Sequence, residues 1–95
     1  MTPSIKEIYF DYHKQAEKFF KKHEDIREKF ENNIKSMYSG NRNINIKVMQ
    51  GEKETIYRMK IADYRVIFKI VDGQIIIIDT ILAGNRGEIY KIFKR

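Results

Sequence analysis

Arg58 and Lys60 stand two positions apart in the alternating run Thr-Ile-Tyr-Arg-Met-Lys-Ile. In an extended chain they share one face, about 7 Å apart, with Tyr57, Met59 and Ile61 on the other. Arg65 follows just after Ala62-Asp63. If the turn there keeps register, it joins the same face, because Tyr64, Val66, Phe68 and Ile70 form the apolar set of the next run. Arg86 and Tyr90 are four apart, so one helical turn brings a guanidinium and a phenol to one side. Crowded cations cost stability, and exposed pairs return little, so a shared cationic face fits anion binding, with phosphate the first candidate. The same residues can equally be solvated strand positions paired with Glu52, Glu54 or Asp63, and periodicity leaves both readings open. His13 and His23 lie in the helical half, away from this face, and read as solvated or boundary residues. Phe19, Phe20, Phe30 and Phe68 are at core spacing, and Tyr64 is core by strand parity.

The elements that must carry these residues are legible in the hydrophobic pattern. Ile5, Ile8, Tyr9 and Phe10 predict a short first strand. Asp11 then caps a helix on Tyr12, Ala16, Phe19, Phe20 and His23 that ends near Lys22. Ile26, Phe30, Ile34, Met37 and Tyr38 predict a second amphipathic helix, stopped by Ser39-Gly40-Asn41. Residues 40–53 are polar and irregular apart from the alternation of Ile44, Ile46 and Val48, which suggests a loosely held strand or an extended connection. Residues 55–61, 64–71 and 74–83 read as consecutive strands, joined by Ala62-Asp63 and by Asp72-Gly73, a type I′ hairpin signal. The isoleucines at 75–78 do not alternate, which predicts burial on both faces and a central place in the sheet. After Gly84 a short helical tail carries Arg86, Tyr90 and Lys94. The layout is α+β, the helical pair covering one sheet face and the other left for function.

Composition narrows the classes. A chain of 95 residues fits one domain, 1–95, and 42% hydrophobic residues supply a core without a staple. Cysteine is absent, and two histidines lack the companions of a zinc or iron centre, so neither a disulfide nor a metal is expected. The N-terminus has no apolar leader, and the longest apolar run is far below the roughly 20 residues that span a bilayer, so no membrane association and a cytoplasmic location are expected. The net charge of +6 favours polyanionic partners, nucleic acid or an acidic protein segment. Ten basic against seven acidic residues up to Lys47, and nine against six beyond it, put +3 in each half, so a binding surface must be assembled by folding.

The run Ile-Tyr-Arg-Met-Lys-Ile-Ala-Asp-Tyr-Arg-Val-Ile-Phe-Lys-Ile from Ile56, then a hairpin, an isoleucine-rich strand and Gly84-Asn85-Arg86-Gly87-Glu88-Ile89-Tyr90, resembles the signature of the RelE/ParE toxin superfamily. The likeness is close over residues 55–91, while the first fifty residues agree in pattern only. It implies an N-terminal strand and helical hairpin packed on a four-stranded antiparallel sheet with a short C-terminal helical tail. In the RelE-like branch it implies a toxin of a type II toxin–antitoxin system, a metal-independent endoribonuclease that cleaves mRNA in the ribosomal A site. Arg58 and Lys60 take the place of the paired basic residues, Arg65 the arginine after the strand-opening aromatic, Arg86 the glycine-x-arginine motif and Tyr90 the terminal tyrosine. Arg58 replaces a lysine common there, and Asn85 lies where many relatives carry histidine or lysine.

Such a cut proceeds by 2′-OH attack on the neighbouring phosphate and needs a base, positive charge for the phosphorane and an acid for the leaving 5′-oxygen. On this reading Lys60 is the base, Arg65 and Arg86 stabilise the phosphate, and Tyr90 stacks on a base or orients the scissile group. Arg58, Lys91 and Lys94 bind RNA. The expected partners are a cognate antitoxin, the ribosome and mRNA, with no small-molecule cofactor. The alternative is a ParE-like toxin that inhibits DNA gyrase without nuclease chemistry. The set Lys60, Arg65, Arg86 and Tyr90 separates the two, since a protein inhibitor has no need of a convergent phosphate site.

Overall fold

The computed structural model describes residues 7–40, 43–50 and 55–92. Strand β1 (Ile8–Tyr12) alternates half-buried Ile8, Phe10 and Tyr12 with exposed Tyr9 and Asp11. Helices α1 (Lys14–Lys22) and α2 (Glu24–Tyr38) follow, separated by His23 alone. Four further strands, β2 (Ile46–Gln50), β3 (Thr55–Ile61), β4 (Tyr64–Asp72) and β5 (Ile76–Asn85), form an antiparallel meander, and α3 (Arg86–Ile92) closes the chain's described part. The order across the sheet is β1-β5-β4-β3-β2. β1 lies parallel to β5, with Ile8 opposite Ile76 and Tyr12 opposite Thr80.

The α+β class is as expected, but the sheet is five-stranded and mixed rather than four-stranded and antiparallel. The first strand pairs with β5 instead of standing apart, because the helical hairpin supplies the crossover that a parallel pair requires. Asp11 is not a helix cap. It belongs to β1, and His13 holds the N-cap position with no side-chain cap bond, its ring meeting Asp79 at 2.7 Å. The Asp72-Gly73 turn is not a type I′ hairpin either. Asp72 pairs with Ile76, leaving a connection of three residues, and the described residues with positive φ are Ala62 (53°) and Gly40 (100°). Gly40 ends α2 as anticipated. β5 lies inside the sheet beside β4, yet only Ile76 and Ile78 of the isoleucine run are buried, and Ile75 precedes the strand and is exposed.

The helical hairpin packs on one sheet face. Ala16 and Phe20 of α1 and Ile26, Phe30 and Ile34 of α2 meet Met59, Val66, Phe68 and Ile78, all buried, with Phe30 and Phe68 rings 5.5 Å apart edge to face. On the opposite face Ile67 and Ile89 are fully buried outside that cluster, where α3 packs on β4 and β5. This smaller apolar contact sets the tail against the sheet. Among the described residues no helix is long and apolar enough to cross a membrane.

Candidate functional site

Pairing in the meander gathers the cations. Lys60 lies directly opposite Arg65, and Arg58 lies opposite Ile67 on β4 and Lys47 on β2. Like charges placed opposite each other across strands are destabilising. Arg65 is nevertheless buried, 8% exposed, and one of its terminal nitrogens donates to the Tyr64 carbonyl at 3.2 Å. The Nε–H groups of Arg58 and Arg65 are both buried without a partner. A buried, unpaired donor costs roughly 1–3 kcal/mol, more on a charged group. Among the described residues no carboxylate pairs with Arg58, Lys60, Arg65 or Arg86. Asp63 lines the same cleft without forming an ion pair, and Glu52 and Glu54 lie outside the described residues.

The other half of the site comes from the end of β5. The strand runs straight into α3, whose start is fixed by a reciprocal cap. Glu88 N–H donates to the Asn85 side chain at 2.8 Å, and Asn85 N–H to the Glu88 carboxylate at 3.5 Å. Asn85 is thereby committed to shaping the tail. One turn before, the Gln15 amide of α1 donates to the Ala83 carbonyl at 2.7 Å and accepts from the Ala83 N–H at 2.8 Å. It continues the ladder past the point where β1 ends. With β5 and α3 so held, the Tyr90 hydroxyl accepts a hydrogen bond from an Arg58 terminal nitrogen at 3.0 Å, and the Arg86 guanidinium lies 5.6 Å from the centre of the Tyr90 ring. Partial burial pushes the phenol up, but the charge and hydrogen bond of Arg58, with Arg86 and Arg65 beyond, outweigh it and bring Tyr90 below its ordinary value of 10.

Arg58 and Arg86 are thus joined through Tyr90, and Lys60, Arg65 and Arg86 line an adjacent cleft of about 360 Å³ with Asp63, Asn85 and Gly87. Lys91 sits exposed on α3 with no contact to the cluster among the described residues, and Lys94 lies outside them. Arg58 is more central than a peripheral RNA contact, since it joins β3 to Tyr90. Two residues were missed in the sequence. Lys47 extends the cationic row, a place readable from the Ile44, Ile46, Val48 alternation. Gln15 left no local signal, because its partner is 68 positions away. His13, bonded to Asp79, and His23, stacked on Phe19 at 4.3 Å, are both engaged elsewhere. The assembly offers a tetrahedral anion several cations and one phenol held below its ordinary value.

The family model described as the ParE toxin of the type II toxin–antitoxin system parDE matches residues 4–87. Comparison with curated proteins and with solved structures returns no match.

Proposed function

We propose that this chain, which belongs to the ParE toxin family of type II toxin–antitoxin systems and so has a cognate antitoxin, acts by cutting mRNA in the ribosomal A site. The observation that carries this reading is the cluster of Arg58, Lys60, Arg65 and Arg86, which no carboxylate neutralises among the described residues, beside Tyr90. Like charges set opposite each other oppose folding, so such a set suits a ligand that supplies negative oxygens. A phosphodiester does.

In the proposed reaction the 2′-oxygen attacks the adjoining phosphorus and gives its proton to Lys60, which acts here as the neutral amine and becomes the ammonium. Arg58, Arg65 and Arg86 hold the charge that grows on the phosphorane oxygens. The bond to the 5′-oxygen breaks and leaves a 2′,3′-cyclic phosphate. The leaving oxygen takes its proton from Tyr90, whose phenol the guanidinium groups have made more acidic than usual.

The second reading, inhibition of DNA gyrase without nuclease chemistry, is favoured by the description of the matching family as ParE. Primer extension on mRNA in a purified translation reaction separates the two. New 5′ ends inside A-site codons, dependent on ribosomes and lost in Arg65→Ala and Arg86→Ala, are expected. Intact mRNA together with loss of gyrase supercoiling would establish the second reading instead.

A further inference from the structure

Tyr64 and Arg65 are consecutive on β4 and point to opposite sides of the sheet. Arg65 lines the cationic cleft, while Tyr64 lines a second cleft of about 560 Å³ on the helical side, with Phe19, His23, Lys18, Lys22 and Ile92. Asn85 borders both, so the two clefts adjoin at the start of β4 and the end of β5. The second cleft has a wall of rings. His23 stacks on Phe19 at 4.3 Å, and Tyr64 lies 5.0 Å from His23 and 5.3 Å from Phe19. Ile92 opposite is 57% exposed. Lys18 and Lys22, one helical turn apart on α1, are exposed, and among the described residues no carboxylate pairs with either. The carboxylate in the cleft, Glu88, accepts a hydrogen bond from the Asn85 N–H at 3.5 Å.

Flat rings beside unpaired cations are what a single nucleic-acid strand uses, base against ring and phosphate against lysine. We propose that this cleft is a second subsite for single-stranded RNA. It takes a nucleobase against His23 and Tyr64 and the adjoining phosphate against Lys18 and Lys22, while the neighbouring phosphate occupies the cationic cleft. The proposal rests on the RNA reading of that cationic cleft. An acidic peptide would satisfy the lysines but leave the ring wall without a planar partner.

The test measures fluorescence anisotropy of the full chain at low salt. The probes are a labelled hexanucleotide and dinucleotide, both 2′-O-methylated to prevent cleavage, and a polyglutamate peptide. Lys18→Glu/Lys22→Glu is compared with Lys29→Glu/Lys35→Glu, the same charge change at exposed positions of α2. The first pair is expected to weaken the hexanucleotide about tenfold more than the second and to leave the dinucleotide unchanged, while Arg65→Ala weakens both. His23 ring protons in NMR spectra should shift on hexanucleotide binding alone. Equal losses from the two lysine pairs, or an unmoved His23 ring, would overturn the subsite while the RNA reading stands. So would loss of polyglutamate binding with the hexanucleotide retained, which marks a protein-docking surface. Wild-type protein that binds neither oligonucleotide would remove the RNA reading and the subsite with it.

Discussion

Arg65 gives up almost all contact with water beside Lys60 and leaves its Nε–H unpaired, with one bond from a terminal nitrogen to the Tyr64 carbonyl in return. If it holds a phosphorane oxygen, Arg65→Ala should lower the cleavage rate by about 10²–10³, the usual loss for one such donor, without lowering the melting temperature. Arg65→Lys should fail to restore the rate, since an ammonium cannot reproduce the guanidinium fork. A variant that melts lower and cuts normally would assign Arg65 to folding. Tyr90 offers a spectroscopic check independent of activity. A phenol held below 10 is stabilised as its anion, so its contribution to stability is present above 10 and is lost as pH falls through the folded value. Ultraviolet titration should therefore show one tyrosine ionising below the others, absent in Tyr90→Phe and shifted upward in Arg58→Met. A titration unchanged by Arg58→Met would separate the phenol from that guanidinium. Strand parity alone was enough to place Arg58, Lys60 and Arg65 on one face, and four-residue spacing to place Arg86 beside Tyr90. The Arg58 to Tyr90 bond was not legible, because it depends on where the tail folds back on β4 and β5. The cap role of Asn85 is written in the Asn-x-x-Glu spacing.

The turn between β3 and β4 places Ala62 at a φ of 53°, a region that costs a residue with a Cβ about 1 kcal/mol or more. Ala62→Gly should therefore raise the melting temperature by about 4–8 °C. A fall would show that the extra chain freedom of glycine outweighs the strain. At the other end of the site, Asn85→Ala removes the cap of a seven-residue helix that has little else to begin it. A loss of about 1 kcal/mol is expected, with hydrogen exchange rising in α3 before the sheet. Uniform exchange would place the cap's contribution elsewhere. Helices α1 and α2 and strands β3, β4 and β5 were readable, since each carries its own apolar period. The pairing of β1 with β5 was not, because parallel contacts between residues such as Phe10 and Ile78 join segments distant in the chain and leave no local pattern. Asp11 looked like a cap for the same reason. A polar residue before a helix reads alike whether it faces solvent from an edge strand or binds the first turn.

Taken whole, the molecule is a small, basic sheet whose helical face does the folding and whose opposite face, partly covered by α3, carries the cations. Its charge of +6 draws any polyanion to it, so attraction alone does not select a scissile bond. The cationic cleft, about 360 Å³, is open, so under the proposed function it would hold a phosphate by charge with little to restrain the sugar on either side. A misplacement near 1 Å can cost about a hundredfold in rate. On the proposed reading, a ribosome that fixes the mRNA would supply that restraint. Cleavage of ribosome-bound mRNA should accordingly exceed that of the same RNA free in solution by about 10² or more under single-turnover conditions. Raising the salt should slow the free reaction more steeply, because it relies on charge to hold the strand. Rates on free and ribosome-bound RNA that agree within about tenfold would mean that this face aligns its substrate unaided, and the division of labour argued from its open cleft would be wrong.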